Sequence, residues 1–285
     1  MKLFMLWDME GVSGLFRREQ TWHWEERSTD EDYKEGRELL VADINAASIT
    51  ALENGVDDLI ICDTHGGGGN IIMDQMLKDD RITYVNPRGE YNGKFQWMPG
   101  LDEKVDGFLT MGHHSMYGTP NSFLPHSNFL TWRHVKFNGV EVGEMAIEST
   151  FAAYWGVPYV MAQGDNVAMA EAKRLFPWIV TAEVKQSVDY DRCKGPSPEE
   201  GRAITKDKLI ETIAKIEKNE FKPYEPGLPL TITMDIEDQA MLKKLTADPR
   251  SSVNSEGLVE ATVNSYADVL AWTGSNVGIN IDPPN

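Results

Sequence analysis

Cysteine is scarce in this chain, with two residues among 285. Cys62 lies inside an apolar run and Cys193 lies far along the chain, so the pair lacks the short spacing of a thiolate metal site. A disulfide framework, a redox pair and a structural zinc site built from cysteine are therefore excluded. Sparse cysteine is typical of a reducing compartment, and we expect a cytoplasmic protein.

The chain also lacks long hydrophobic runs and an excess of basic residues. No segment approaches the roughly 20 apolar residues that a membrane-spanning helix needs, and the amino terminus has no basic stretch followed by a long apolar one. Lysine and arginine number 27 against 45 aspartate and glutamate residues, which gives a formal net charge of -18. Because this negative field repels nucleic acid and anionic membranes, we expect neither as a partner.

Two common catalytic motifs are missing as well. The four glycines at 66–69 are followed by an Asn-Ile-Ile segment instead of the Gly-Lys-Ser/Thr of a P-loop. Ser13 and Ser127 lie near histidines, but neither stands in the Gly-x-Ser-x-Gly motif of a serine hydrolase. These absences disfavour nucleotide binding and serine-based hydrolysis.

An acidic pair, Asp8 and Glu10, follows the first apolar run. The run at residues 2–7 has the continuous hydrophobic character of a buried central strand, and Gly11 closes it. Two carboxylates two residues apart on an extended backbone point to the same side, and ligands of open α/β sheets bind at the carboxyl ends of strands. The pair therefore indicates a cation between the two carboxylates.

Other residue types that bind metals follow later apolar runs. His65 comes after the run at 59–62, and a His-His pair comes after the run at 108–111. Five of the six histidines lie between residues 65 and 134, a concentration that favours a site over scattered core residues. Glu144 follows a predicted hairpin with an Asn-Gly turn. Asp, Glu and His side chains without cysteine suit zinc, manganese or cobalt in a hydrolytic site.

Considered one at a time, these residues have simpler interpretations. The two acids could cap the next segment or pair with Arg17 and Arg18, and the histidines could be hydrogen-bonded core residues. Their combination at successive strand ends favours a metal site instead, and three carboxylates carry enough charge for two divalent ions. Spacing does not decide between His126 and His134 as a further functional residue. The predicted metal ligands are Asp8, which is the candidate bridge between two ions, Glu10, His65, His114 and Glu144.

Five blocks of the sequence form a specific ordered set: Asp8-Met9-Glu10-Gly11-Val12-Ser13-Gly14-Leu15, Asp63-Thr64-His65, Met111-Gly112-His113-His114, Pro125-His126-Ser127 and Val142-Gly143-Glu144. In order and approximate spacing they resemble the zinc-dependent D-aminopeptidases of the dipeptide-permease operon type, peptidase family M55. The similarity continues through Val184-Lys185-Gln186-Ser187 and covers most of the chain, weakening toward the carboxyl end.

The resemblance implies a complete site. It implies that the five predicted ligands hold two zinc ions per chain, with Asp8 shared, and that His126 is the catalytic side chain. It also implies small peptide substrates with an N-terminal D-residue, typically D-alanine. The family forms ring-shaped homo-oligomers, with stacked pentamers in the best-known case, so a ring such as a decamer is the expected assembly.

The sequence departs from the family pattern in three places, one of which is the glycine run at 66–69, where the family has a more polar stretch. His113 stands where the family commonly has an aromatic residue, and the two histidines should face opposite sides of a continuing strand, so only His114 is expected to reach the metals. The segment at residues 20–27 is longer and more aromatic than usual. We expect its Trp22 and Trp24 either to shape the substrate pocket or to pack against a neighbouring subunit.

The order of secondary-structure signals predicts an α/β fold, with a mostly parallel sheet flanked by helices. The pattern changes after residue 185, where prolines open a helix and a proline-rich linker follows. We therefore predict two domains, an α/β metal-binding catalytic domain at 1–190 and a small α+β domain at 191–285. The predicted strands are 2–8, 58–63, 82–85, 106–112, 157–162 and 230–234, and the predicted helices are 30–53, 70–78, 144–155, 166–175, 198–218 and 236–245.

The sequence thus favours a metal-dependent aminopeptidase that hydrolyses small peptides with an N-terminal D-amino acid. Two other functions use the same residue types. A dinuclear metal phosphoesterase needs cationic groups for phosphate oxygens, and only Arg133 and Lys136 lie near the motif blocks on the hairpin. A metal-dependent binder of D-amino acids or peptides would need no proton carrier, and the presence of His126 counts against it.

Overall fold

The computed structural model describes residues 1–87, 90–91, 94–95 and 97–273. Within these residues the strands are, in chain order, β1 (Lys2–Trp7), β2 (Asp58–Asp63), β3 (Ile82–Val85), β4 (Glu90–Tyr91), β5 (Lys94–Phe95), β6 (Gly107–His113), β7 (Trp132–Phe137), β8 (Val140–Glu141), β9 (Tyr159–Asp165), β10 (Val180–Ser187), β11 (Cys193–Lys194), β12 (Leu230–Ile236), β13 (Ser251–Val253) and β14 (Val259–Val263).

The α-helices of the described residues lie between these strands. None of them is long and apolar enough to cross a membrane. Short 3₁₀ turns occur at Arg18–Gln20, His65–Gly67 and Met73–Gln75. The α-helices are α1 (Asp30–Glu53), α2 (Glu144–Tyr154), α3 (Asn166–Leu175), α4 (Pro198–Ile216), α5 (Gln239–Thr246) and α6 (Ala267–Thr273).

Seven strands form the main sheet in the order β11-β10-β9-β6-β1-β2-β3. Every neighbouring pair is parallel except β10 and β11. The chain crosses from β1 to β2 through α1 and from β9 to β10 through α3. The prediction of an α/β fold with a mostly parallel sheet flanked by helices is therefore confirmed.

A second sheet has five antiparallel strands in the order β13-β14-β12-β7-β8. The hairpin β7–β8 comes between β6 and α2 in the chain, yet it pairs with β12, with Phe137 opposite Ile232. Helix α4 packs against α1 and β10. The two sheets thus each collect segments from distant parts of the chain, and the predicted division between residues 190 and 191 stays a prediction.

Strand β1 is buried on both of its faces. Leu3, Met5 and Trp7 lie in one hydrophobic cluster with residues of α1 and α4. Phe4 and Leu6 lie in a second cluster with residues of α2, α3 and the five-stranded sheet. The main sheet is therefore the middle layer of the fold, which explains why the run at 2–7 is continuously apolar instead of alternating.

The helix predicted at 70–78 is wrong, because only the 3₁₀ turn Met73–Gln75 forms there. The side chain of Asn45, on α1, donates to the Gln75 carbonyl at 2.9 Å and accepts from the Leu77 amide at 2.8 Å. These backbone groups are satisfied by a residue distant in sequence, so the segment does not need helical hydrogen bonds.

Candidate metal centre

Three neighbouring strand ends of the main sheet bring the predicted ligands together. Strands β1, β2 and β6 are adjacent and parallel, so their carboxyl ends meet at one edge. Asp8 and Glu10 follow β1. His65 begins the turn after β2, His114 follows β6, and Glu144 is the first residue of α2. All five side chains are buried.

The ends of β1 and β6 approach each other closely because two positions are glycine. A Cβ at Gly112 would lie 2.2 Å from the Asp8 carbonyl oxygen, and a Cβ at Gly11 would lie 2.4 Å from the His113 carbonyl oxygen. Gly112 also has a φ of 72°, which L side chains rarely adopt. The Gly11 amide donates to the Gly112 carbonyl at 2.6 Å, and this contact holds the histidine pair beside Asp8.

Asp8, Glu10 and His65 form one group of potential ligands, with their ligand atoms within 4.8 Å of one another. Nδ1 of His65 lies 2.7 Å from Asp8 Oδ1 and 3.2 Å from Glu10 Oε2. The other ring nitrogen, Nε2, lies 3.2 Å from the Thr21 carbonyl oxygen. Because a carbonyl can only accept, Nε2 is the donor to Thr21 and Nδ1 faces the two carboxylates. Nδ1 donates to them when the ring is protonated and can offer its lone pair when a cation lies between them.

His114 and Glu144 belong to a second group, again within 4.8 Å, that also includes His126. Nδ1 of His114 donates to the Ser115 carbonyl at 2.9 Å. Its Nε2 lies 3.4 Å from both Asp8 Oδ2 and Glu144 Oε2. Asp8 therefore directs one carboxylate oxygen toward each group.

The electrostatics of the site favour a cation among these side chains. Burial opposes the charged forms, but the carboxylates outweigh it and hold the pKa of His65 and the pKa of His114 well above the usual value. In the same way, the neighbouring imidazoles of His114 and His65 outweigh the burial of Asp8 and hold its pKa well below its usual value. Within the described residues, His114 Nε2 and Glu10 Oε2 are buried without a hydrogen-bond partner. A divalent ion would supply the positive charge and engage both atoms, so the residues fit a metal.

His126 lies beside this cluster and His134 does not. The His126 ring stacks on His114 with a centroid distance of 3.7 Å. Its Nδ1 donates to the Leu124 carbonyl at 2.9 Å, which leaves Nε2 as the free acceptor. Burial and the neighbouring His114 lower the pKa of His126. His134 is exposed on β7 and bonds Glu141 at 2.8 Å, away from the cluster.

His113, the first histidine of the pair, faces a different carboxylate. Nε2 of His113 lies 3.4 Å from Glu148 Oε2, and neither side chain is exposed. Burial raises the pKa of Glu148 well above its usual value and lowers the pKa of His113. His113 also lies close enough to Asp8 and His114 to form a third group of potential ligands.

Several contacts that support the site were not predicted from sequence. Trp22 Nε1 donates to Glu10 Oε1 at 2.8 Å, and the Asn128 amide donates to Glu144 Oε2 at 2.8 Å. The buried Lys185 donates its Nζ to carbonyls of the segment after β1, including that of Glu10. Only the family resemblance, which includes Lys185, drew attention to this residue in the sequence. The other two contacts join segments that no sequence motif connects.

A cavity with a volume of about 510 Å³ opens above the cluster. No arginine or lysine of the described part of the chain lines it. Its lining comprises Asp8, Glu10, Trp24, Thr64, His65, Gly66, Gly67, Trp97, His126, Asn128, Phe129, Leu130, Glu144 and Met241.

Comparisons with known proteins agree with this geometry. The Zn-dependent D-aminopeptidase DppA from Bacillus subtilis, a self-compartmentalizing protease, superimposes with a TM-score of 0.83 at 24% identity over 99% of each chain, which shows a shared fold. A D-aminopeptidase of Bacillus subtilis (strain 168) is 30% identical over 227 residues, which are 79% of this chain and 78% of the relative. The model of the peptidase M55 family, described as D-aminopeptidase, matches residues 1–274. The chain therefore belongs to the peptidase M55 family of D-aminopeptidases.

Proposed function

We propose that this chain is a zinc-dependent aminopeptidase with two metal ions at its active site. Its substrates are small peptides with an N-terminal D-amino acid of the D-alanine type. The observation that carries this proposal is the convergence of Asp8, Glu10, His65, His114 and Glu144 at one sheet edge beneath a cavity. Family membership supports the aminopeptidase activity.

The arrangement of carboxylate oxygens supports two ions with Asp8 between them. Asp8 Oδ1 faces the group with Glu10 and His65, and its Oδ2 faces the group with His114 and Glu144. A carboxylate that offers one oxygen to each of two ligand groups is suited to bridge a pair of ions. Manganese or cobalt would suit the same oxygen and nitrogen ligands.

Divalent ions bound there would lower the pKa of a water and polarise the scissile carbonyl. His126 is proposed to carry the proton. Its Nδ1 is fixed on the Leu124 carbonyl, and the lowered pKa keeps Nε2 ready to accept a proton and pass it to the leaving amine. A carboxylate or one of the ions would hold the amino terminus of the substrate, and the apolar side chains that line the cavity would exclude bulk water.

We also propose that the chain assembles into a homo-oligomer. The structural relative that covers 99% of this chain is a self-compartmentalizing protease. A ring of subunits, such as a decamer, is the form that the family resemblance implies. Sedimentation of the purified protein measures the subunit number.

Two other functions use the same ligand types and are less well supported. A phosphoesterase requires cations for phosphate oxygens, yet none of the described residues lining the cavity is arginine or lysine. Arg133 instead pairs with Glu237 and lies over the Tyr117 ring. A binder without turnover would have no use for a proton carrier at the position of His126.

One assay separates the three functions. Zinc-loaded protein is offered D-Ala-D-Ala, L-Ala-L-Ala and an aryl phosphate, and amine or phosphate release is measured. The proposal predicts release from D-Ala-D-Ala alone. Phosphate release would support the phosphoesterase, and binding of D-Ala-D-Ala without hydrolysis would support the binder.

A further inference from the structure

Above its acidic floor, the cavity is lined by large apolar side chains. They come from distant parts of the chain: the segment after β1, the segment before β6, the segment before β7, and α5. These side chains together form the apolar wall of the cavity. The wall residues are Trp24, Trp97, Phe129, Leu130 and Met241.

Several contacts hold this wall in place. Trp97 Nε1 donates to the buried Glu148 at 3.2 Å. Phe129 packs against Trp132 with a centroid distance of 4.9 Å. Trp24 stacks on His65 with a centroid distance of 5.6 Å. These contacts fix the positions of the wall side chains next to the predicted ligands.

The wall leaves apolar surface that a substrate can cover. Trp24 is 47% exposed and Leu130 is 42% exposed, although both line a concave site. A cavity of about 510 Å³ is in the usual range for small-molecule sites. The methyl group of a D-alanine residue on the floor would cover little of this surface, whereas a larger apolar side chain would remove much of it from water.

The covalent structure of the peptide determines which substrate side chain lies closer to the metal ligands and to the wall beside them. The scissile carbonyl must lie over the ligands, and the side chain of the N-terminal residue branches from the adjoining Cα. The side chain of the leaving residue branches one bond farther away, beyond the amide nitrogen. Trp24 stacks on the ring of His65, so the wall adjoins the predicted ligands and lies next to the first of these side chains.

We propose that peptides with a large apolar or aromatic D-residue at the amino terminus, such as D-leucine or D-phenylalanine, are cleaved more efficiently than D-alanine peptides. This inference rests on the proposed aminopeptidase function and specifies its substrate class. Trp24, Trp97, Phe129, Leu130 and Met241 are the residues that determine this specificity.

The first test compares kcat/KM of the zinc-loaded protein for D-Ala-Gly, D-Leu-Gly and D-Phe-Gly, with the L-enantiomers as controls. A second series, D-Ala-Gly, D-Ala-D-Leu and D-Ala-D-Phe, varies the leaving residue. One methylene in an apolar pocket changes kcat/KM by roughly 10-fold or more. We therefore expect D-Leu-Gly or D-Phe-Gly to exceed D-Ala-Gly by at least about 10-fold.

The second test shortens the wall. Leu130→Ala and Met241→Ala should each reduce the ratio of kcat/KM for D-Phe-Gly over D-Ala-Gly by about fivefold or more, because each removes a few buried methylene contacts. Ile49→Ala is the matched control, since Ile49 is an exposed apolar residue of α1 outside the cavity. It should leave the ratio unchanged.

The outcomes distinguish the inference from the function on which it rests. If D-Ala-Gly is cleaved as well as the larger substrates, the inference is wrong and the aminopeptidase function stands. A preference found only in the leaving-residue series would also overturn it. If zinc-loaded protein cleaves no D-peptide of either series, both the function and the inference fail.

Discussion

At the scale of single residues, two histidines at the site are oriented by a hydrogen bond from one nitrogen of the ring, which fixes the direction of the second nitrogen. His114 donates from Nδ1 to the Ser115 carbonyl, and His65 donates from Nε2 to the Thr21 carbonyl. Each ring therefore turns its remaining nitrogen toward Asp8. Metal-ligating histidines are commonly fixed in this way, so both residues are arranged for coordination.

Substitutions can distinguish the role of His114 from that of His113. His114→Ala should lose bound zinc and activity, because Nε2 of His114 faces Asp8 and Glu144. His113→Ala is the matched control and should retain zinc, since Nε2 of His113 faces Glu148. Metal content after gel filtration measures both. Loss of zinc from the His113 variant alone would reverse the assignment.

His126 is expected to act without binding metal. His126→Ala should keep both ions and the native assembly, while kcat falls by roughly 100-fold to 10,000-fold through loss of proton transfer. The exposed His134 provides the control, and His134→Ala should keep full turnover. Zinc content and kcat are measured for both variants. Loss of metal from the His126 variant would make this residue a sixth ligand.

Sequence reasoning selected four of the five predicted ligands because they follow apolar runs whose strands end at the same sheet edge. It selected Glu144 because this residue follows the predicted hairpin and begins a helix. It could not choose His126 over His134 without the family resemblance, since both follow the same strand and precede Glu144. Trp97 and Met241 carried no signal either. Their positions in the cavity depend on contacts between segments distant in sequence, which a local pattern does not contain.

At the scale of elements, a buried carboxylate joins α3 to the segment after β6. Glu171 Oε2 accepts from the Met116 amide at 2.7 Å. Burial raises the pKa of Glu171 to about 7, from a usual value of 4.5. The folded protein therefore binds more protons than the unfolded chain between these two pH values, and its free energy of unfolding falls as the pH rises through this window.

Glu171→Gln should remove this part of the pH dependence, because the amide cannot ionise and still accepts from Met116. Between pH 4.5 and pH 7.5 the free energy of unfolding of the unsubstituted protein should fall by about 3 kcal/mol relative to the variant. Denaturant titrations of zinc-loaded protein at both pH values measure this difference. Glu183→Gln, at an exposed position of β10, is the control. Parallel pH profiles for the protein and its Glu171 variant would contradict the expectation.

Most individual elements could be predicted from local sequence. The structure has α1 and β2 at the predicted residues, because their apolar periodicity and capping are local. The segment at 70–78 could not be predicted, since its backbone groups are bonded by Asn45 of α1.

At the scale of the whole molecule, the five-stranded sheet positions one wall of the cavity. Phe129 and Leu130 precede β7, Met241 lies on α5 after β12, and β7 pairs with β12. The sequence predicted these strands but could not predict their pairing, because 95 positions separate Phe137 from Ile232 and no motif links them. The pairing brings a carboxyl-terminal helix to a cavity above amino-terminal ligands.

The central claim is that two zinc ions and the residues around Asp8 make this chain a D-stereospecific aminopeptidase. It is tested most directly by titrating zinc into metal-free protein while the hydrolysis of D-Ala-D-Ala and of L-Ala-L-Ala is measured. We predict that the D-peptide alone is cleaved, at a rate that rises to a plateau at two zinc ions per chain. A plateau at one ion would contradict the dinuclear site, and equal cleavage of the L-peptide, or no cleavage at any zinc level, would contradict the proposed function.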